Sequence, residues 1–550
     1  MARLDYFAPG VYVEEIDRGS RPIEGVQTNI AGFIGFTEAI RGGAEIGKPM
    51  LIANWNQYLE YFGKENSDGF TDFNAYLPFA VNGWFLNGGA RCWVISIGTQ
   101  LPKPAQETSQ PTPETSALTI RTSARRESLQ FALKPEEADN GSVSVEILPG
   151  EPKSIPEDPN NPAPVPAEFF TVVIKRDGQQ LERHDNLTMD QNVQAEVGDY
   201  VVTALEESQY VTVTNLTQRG LPLARRPIDG IYEVSPPPEL PTQENLARYV
   251  QGVRDDRTGV QGLYEIDEIT MIACPDLMRA YQAGLLDEDQ IHGIMELMIS
   301  LCENAAPNPP NRMVVLDTPP DRVKPQHVVN WLDDFGRRSM FAALYYPWIK
   351  VPNPRNNGKP ILVPPCGHMM GVWSRTDETR GVYKAPANET PRGVIGLSYD
   401  CNFREQELLN PRGINCIRTF PNRGIKIWGA RTLVEPEKTE WRYISVRRLM
   451  SYIEKSIELG TQWVVFEPND QDLWARVRRT VNNFLERLWR EGALFGASPE
   501  QAFYVKCDET INTPDTMILG RLYIEVGVCP VRPAEFVIFR ISQWNAQDEE

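Results

Sequence analysis

Histidine is scarce in this chain, four residues in 550. His184, His292, His327 and His368 lie far apart and no ligand spacing recurs around them, which argues against a metal centre. The eight cysteines, at 92, 274, 302, 366, 401, 416, 507 and 529, form no C-x-x-C pair and mostly sit in apolar runs. They read as reduced core thiols of a protein made in the cytosol. No apolar run is long enough to cross a bilayer, and "MARLDYFAPG" has no apolar signal region, so neither membrane insertion nor a signal peptide is expected. The sequons at Asn140, Asn186, Asn215 and Asn388 then read as chance matches. Basic residues are in deficit, 55 against 74 acidic, for a net charge of -19. Phosphate binding needs a basic face, so a general nucleic-acid binder is not expected.

What is present is an ordinary globular composition, 41% hydrophobic and 23% charged, over a length that implies several cores. "TNIAGFIG" and "RCWVISIG" read as buried strands, and "NWNQYLEYFG" and "NAYLPFAVNGWFLNGG" as helices closed by glycine. A Pro/Thr/Ser-rich stretch starts at Thr99, and "SPPPELPTQ" closes the region at Gln243. Between them lie the strand-like runs "SVSVEIL", "EFFTVVIKRDG" and "QYVTVTNL". Strand-helix alternation follows: "EITMIACPD", "DEDQIHGIMELMISLCENA", "RMVVLDTPPD", "PQHVVNWLDDFG" and "SMFAALYYPWIKV". Such alternation implies a parallel sheet covered by helices. The last region is α+β, with two long helices, the strands "QAFYVKCDE" and "LYIEVGVCPV", and a closing run, "AEFVIFRISQW", apolar enough to be buried on both faces.

Three stretches invite an enzymatic reading. "GGAEIGKP", Gly42 to Pro49, matches most of a phosphate-binding loop, but Pro49 supplies neither the Mg²⁺ hydroxyl nor an N–H, and a glycine-rich turn is the better reading. "CGHMMGVWSRTDETRGVYKAPAN" gathers Cys366, His368, Arg375, Asp377 and Arg380. If extended, it points Cys366 and His368 apart, and its charges read as a salt-bridge cluster fixing an irregular loop. Asp276 and Asp317 close two neighbouring strands, where α/β proteins often place functional groups, though strand-end aspartates commonly cap a turn. Against the acidic background, Arg447 and Arg448 on one C-terminal helix and Arg476, Arg478, Arg479, Arg487 and Arg490 on the next form a local reversal of sign. This is either a solvated face or a docking surface for an acidic partner.

Both ends of the chain carry strands with nothing evident to pair with: Val11, Tyr12, Val13 and Ile16 within "APGVYVEEIDRG", and Phe536, Val537, Ile538, Phe539 and Ile541 within the closing run. An unpaired strand is a liability unless another chain takes it. "YFAPGVYVEEIDRGSRPIEGVQTNIAGFIG", "VPPCGHMMGVWSRTDETRGVYKAPANETPRGVIGL", "LNPRGINCIRTFPNRGIKIWGARTL", "WRYISVRRLMSYIEKSIE", "VFEPNDQDLWARVRRTVNNFLERLWREGALFGASPEQAFYVKCDE" and "PAEFVIFRISQ" together resemble contractile tail sheath proteins. That family covers phage tails, R-type bacteriocins and phage-tail-like extracellular injection systems.

The resemblance implies a structural, non-enzymatic subunit without cofactor or metal. Its fold would be α/β and α+β multidomain: an N-terminal arm at 1–25, a central α/β domain at 26–98 and 244–430, an inner C-terminal domain at 431–530 and a C-terminal arm at 531–550; the stretch 99–243, which the resemblance does not cover, reads from its strand-like runs and the breakers at both ends as an inserted all-β domain, expected outermost. It implies a homopolymer around an inner tube, on a baseplate and under a terminal cap, assembled in the bacterial cytoplasm and released in a particle. The arms would add strands to a neighbour's sheet near Phe503 to Lys506 and Leu522 to Val526, through hinges at Gly19 to Gly25 and Val531 to Pro533. Arg476, Arg478 and Arg479, with Arg447 and Arg448, would face the tube. A phage tail sheath proper and, from another class, a nucleotide-dependent enzyme built on Gly42 to Lys48 are the competing readings.

Overall fold

The structure, a computed structural model of the chain, describes residues 22–102, 117–124, 126–134, 137, 142–154, 166–176, 178–217, 220–234, 241–303 and 311–540. Two compact units result, Met1–Pro104 with Pro241–Glu550, and Ala105–Leu240.

The first unit is organised by an eight-stranded sheet. Its strands are β1 (Ile30–Gly35), β2 (Pro49–Ile52), β3 (Arg91–Ser96), β4 (Met271–Ala273), β5 (Met313–Asp317), β6 (Ala342–Tyr346), β7 (Ile414–Phe420) and β8 (Gly424–Ile427), in the order β8-β7-β6-β5-β4-β1-β3-β2. The strands from β7 to β3 run parallel, and β2 and β8 close the edges antiparallel. Every residue of β1, β5 and β6 is buried, which is why these strands read as unbroken apolar runs. The expected strand over "SMFAALYYPWIKV" is two: β6 stops at Tyr346, and Ile349–Asn353 joins a separate three-stranded sheet.

Helices α1 (Tyr76–Leu86) and α2 (Cys366–Arg380) cover this sheet. The second corrects the expected irregular loop at "CGHMMGVWSRTDETR". Its polar residues hid a helix because the contact surface is made by glycine. A Cβ on Gly367 would lie 2.4 Å from the Ala80 backbone, one on Gly371 2.7 Å from the Trp84 carbonyl, and one on Gly83 2.3 Å from the His368 ring. The two helices therefore approach at backbone distance.

A second hydrophobic core lies in the C-terminal part of this unit, between α3 (Ile444–Gly460) and α4 (Gln471–Arg490). Asp470 caps α4 by accepting the Leu473 N–H at 2.8 Å. Leu473, Val477, Val481, Phe484, Leu485 and Leu488 form its buried stripe at helical spacing. β9 (Phe503–Lys506) and β10 (Glu525–Val528) then pair antiparallel as a sheet of only two strands.

The second unit holds a three-stranded sheet (Ala117–Arg121, Glu127–Leu133, Val211–Asn215) and a five-stranded sheet (Val143–Pro149, Phe170–Arg176, Gln179–Thr188, Asp199–Tyr200, Gly230–Val234). Ile120, Phe131, Val145, Ile147 and Phe170 share its core. Short helices at Val201–Glu206 and Pro222–Arg225 accompany the strands.

Candidate assembly surfaces

The order β3-β1-β4-β5 reverses direction between β1 and β4, the point at which open α/β sheets hold phosphate ligands against a helix N-terminus. Here the chain's own carboxylate occupies that position. Asp276, just beyond β4, accepts the N–H of Phe36 after β1 (2.7 Å) and those of Tyr76 (2.5 Å) and Leu77 (3.2 Å) at the start of α1. Asp317 does the same for α2, accepting the Cys366 N–H at 3.0 Å. Burial pushes both carboxyls up to about 7. These aspartates are internal helix caps. The glycine-rich turn leads into β2 instead of a helix, Lys48 pairs with Glu45 at 2.5 Å, and the Gly47 N–H is spent on the Ser96 carbonyl at 2.7 Å. Burial raises the Cys366 thiol and pushes His368 down to about 4, so thiol and imidazole both stay neutral, two positions apart on one helix.

The arginines divide between the two long helices. Arg447 and Arg448 are buried, which corrects their assignment to a docking face: α3 is covered on nearly every side. Arg448 donates to both Asp377 oxygens, by Nη1 at 2.8 Å and by Nη2, and also by Nη2 to the Thr28 carbonyl at 2.9 Å. Arg447 bonds Glu454 at 3.1 Å and lies 4.6 Å from the Trp441 ring centre. Arg476, Arg478 and Arg479 of α4 are exposed. Arg476 pairs with Glu467 at 3.6 Å over Trp463, and Arg478 donates to the Cys507 carbonyl at 3.2 Å.

Val11, Tyr12, Val13, Ile16 and Ile541 lie outside the described residues. The base of the N-terminal arm is fixed by α3 and α4. Ile23 is buried in their core, its carbonyl takes the Arg487 Nη2–H at 2.9 Å, and the Val26 N–H bonds the Ser456 hydroxyl at 3.2 Å. A Cβ on Gly25 would fall 1.9 Å from the Tyr452 hydroxyl oxygen, so the expected hinge does not extend to Gly25.

At the other end, Phe536, Val537, Ile538 and Phe539 are 70%, 69%, 80% and 83% exposed and belong to no strand. Within the single chain the segment has neither the ladder nor the burial expected of it. Glu535, immediately before, is anchored. Its Oε1 accepts from Asn410 Nδ2 (2.8 Å) and Arg431 Nε (2.9 Å), and its Oε2 from Arg431 Nη2 (2.6 Å) and the Tyr443 hydroxyl (2.9 Å). Burial pushes this carboxyl up, but the Arg431 and Asn410 hydrogen bonds outweigh it and hold Glu535 below its usual value. Nothing in the sequence pointed to this cluster, since its members are up to 125 residues apart. The same holds for Asp377 with Arg448. Among the described residues, no group of three histidine, cysteine or acidic side chains has a metal-holding arrangement, and no helix is long and apolar enough to cross a membrane.

Two adjoining family models match this chain, the phage tail sheath protein central domain over residues 287–433 and the phage tail sheath C-terminal domain over 437–543. The tail sheath protein of Salmonella phage ViI is 29% identical over 208 residues, covering 37% of this chain and 31% of the phage protein. That of Burkholderia phage BcepMu is 28% identical over 209 residues, 37% of this chain and 42% of the relative. The match thus spans less than half the length of either relative. Over nearly its whole length the fold is similar to a chain of the anti-feeding prophage baseplate (TM-score 0.54, 24% identity, 98% of this chain and 100% of the other). It is similar too to a chain of the contracted PVC sheath complex of an extracellular contractile injection system (TM-score 0.55, 21% identity, 98% and 99%).

Proposed function

We propose that the chain, whose residues 287–433 and 437–543 match the central and C-terminal domain models of phage tail sheath proteins, is a contractile tail sheath protein, the structural sheath subunit of a contractile injection machine. Copies polymerise around an inner tube on a baseplate, and their rearrangement on contraction drives the tube through a target envelope. The observation that carries this reading is the pairing of a deficit with a surplus. β9 and β10, packed on the α3–α4 core, form a sheet that has no further strand among the described residues, while Phe536 to Phe539 form an exposed apolar strand precursor. Addition of this segment, and of Val11 to Ile16, to a neighbour's β9–β10 sheet satisfies both needs.

On this reading the arms at 1–25 and 531–550 link subunits, the domains at 26–98 with 244–430 and at 431–530 form the body, and 99–243 lies outermost. The exposed row Arg476, Arg478 and Arg479 faces acidic groups on the tube. Each such exposed pair contributes about 0–1 kcal/mol and weakens with salt, which suits a contact that must release on firing. The work of contraction comes from subunit rebinding; Asp276 filling the switch-point anion position supports a role without nucleotide chemistry. Assembly takes place in the bacterial cytoplasm, and the particle is then released.

The test is truncation. Chains lacking residues 1–20 or 536–550 should remain folded and fail to form striated tubes in negative-stain micrographs; normal tubes from both truncations would refute the reading. The alternative, which is not favoured over the injection machine, is the sheath of a virion tail, the role the phage relatives are named for. Capsid and terminase genes beside this one would establish it, whereas baseplate and toxin genes without a capsid would establish the injection machine.

A further inference from the structure

Glu535 is out of character with the segment it sits in. The residues after it are exposed and apolar, yet its own side chain is 20% exposed and meets Arg431, itself 9% exposed, in a two-pronged ion pair. Asn410 and the Tyr443 hydroxyl complete the set, so both carboxylate oxygens are fully engaged. The partners come from three separate places: Asn410 from the turn before β7, Arg431 from the loop after β8, and Tyr443 from the residue that begins α3. Arg431 is itself held, its N–H on the Asn415 side chain at 2.7 Å and its Nη1 on the Asn410 carbonyl at 3.1 Å. A flexible tail has no need of such a fixed cradle, whereas a strand that must leave its subunit at one defined point does.

We propose that Glu535 is a latch that fixes where the C-terminal strand leaves its own subunit, and so sets the register in which that strand enters a neighbour's sheet. The inference rests on the reading that residues 536 onward are donated. Register in a strand pair has a period of two, so a slip of one residue would turn Phe536 and Ile538 to the face meant for Val537 and Phe539. A latch one residue before the strand removes that freedom. Helix α3 extends the device. Tyr443 at its start holds the C-terminal arm, and Ser456 and Gly460 at its far end lie against Val26 and Ile23 at the base of the N-terminal arm. The two exits are therefore separated by about one rigid helix length, roughly 25 Å at 1.5 Å per residue.

The experiment compares full-length wild type, E535A, E535Q and a chain lacking residues 536–550, each read for folding by circular dichroism, for arm release by chymotrypsin, and for assembly by electron microscopy. For E535A the expectation is a cooperative fold with a lowered thermal midpoint, since Arg431 is left nearly buried without its partner, cleavage after Phe536 faster on the order of tenfold, and tubes that are absent or of irregular diameter. E535Q, which keeps the shape and loses the charge, should fall between E535A and wild type. Wild-type tubes from E535A, with none from the truncated chain, would overturn the latch and leave the donated strand standing. Wild-type tubes from the truncated chain would overturn both. Should E535A lose its fold, E535Q decides: slower, misregistered assembly on an intact fold supports the latch, and wild-type behaviour refutes it.

Discussion

Replacing Arg448 with alanine separates an internal strut from a docking helix. Its side chain and that of Asp377 are each 6% exposed. Asp377 receives both prongs of the guanidinium and the Thr28 hydroxyl at 2.6 Å. In R448A only the hydroxyl remains on a carboxylate that is still buried. Removing one member of a buried pair costs about 3–5 kcal/mol, because the partner is left uncompensated. Loss of the guanidinium from above the Trp373 ring, 5.1 Å from its centre, adds about 1 kcal/mol. At about 1.4 kcal/mol per tenfold, amides of α2 and α3 that open through this contact should lose about three to four orders of magnitude of protection in native-state hydrogen exchange of the unassembled chain. The double variant D377N/R448M should recover most of the loss, since a neutral pair leaves no buried charge. Protection within about threefold of wild type in R448A, with a defect only in tube recruitment, would refute this reasoning and return α3 to the role first expected of it.

Gly371→Ala places a methyl 2.7 Å from the Trp84 carbonyl and should lower the thermal midpoint by several degrees, the result of overpacking by about 1–3 kcal/mol, whereas Gly293→Ala on an open helix face should not. Asp276 and Asp317, raised to about 7, keep protons that the unfolded chain gives up near pH 4. Stability should therefore fall as pH rises from about 4 to 7 and level off above, by at most about 4 kcal/mol per group; thermal midpoints across this range in wild type and D317N check it, and an equal slope in both would contradict it. Changing Arg476, Arg478 and Arg479 together to glutamate should leave the fold intact and abolish tube recruitment in co-sedimentation; recruitment at wild-type level would end their assignment.

Strands and helices whose burial is one-sided or complete were legible in the sequence. The apolar runs of β1, β5 and β6, and the stripe Ile291, Met295, Met298 and Cys302 on helix Glu288–Glu303, state their own partners, because each needs a core and nothing else. Three kinds of feature were not legible. α2 was hidden because its contact residues are Gly367 and Gly371, which carry no hydrophobic signal although they let α2 approach α1 at backbone distance. Arg447 and Arg448 resembled a solvated face because charge is normally outside, and only the tertiary fold brings Asp377 within reach from 71 residues away. Gln179–Thr188 has too polar a pattern to read as a strand, and is one because Phe170–Arg176 supplies its ladder. In each case a long-range partner decides the outcome, and single-chain periodicity carries no information about such partners.

On the proposed reading, the magnitudes are those of a polymer that can still rearrange, in which the exposed apolar segment of one copy joins the two-stranded sheet of another. Burying four large apolar side chains gains about 1.5–3 kcal/mol each, or roughly 6–12 kcal/mol for Phe536 to Phe539. Ordering six residues of backbone costs about 1–2 kcal/mol each, which is the same sum. Side-chain burial alone therefore leaves strand donation near balance. The surplus must come from ladder hydrogen bonds along β9 or β10, at about 0.5–1.5 kcal/mol net apiece, and these form only in the correct register. Anchoring the arm at Glu535 shifts this balance, since residues held at their base have less freedom to lose. A link of this strength is weak in a pair of subunits and strong when every copy gives and receives one. The stability of the assembly then resides in the number of links, and the same links can persist while the bodies between them turn about short tethers.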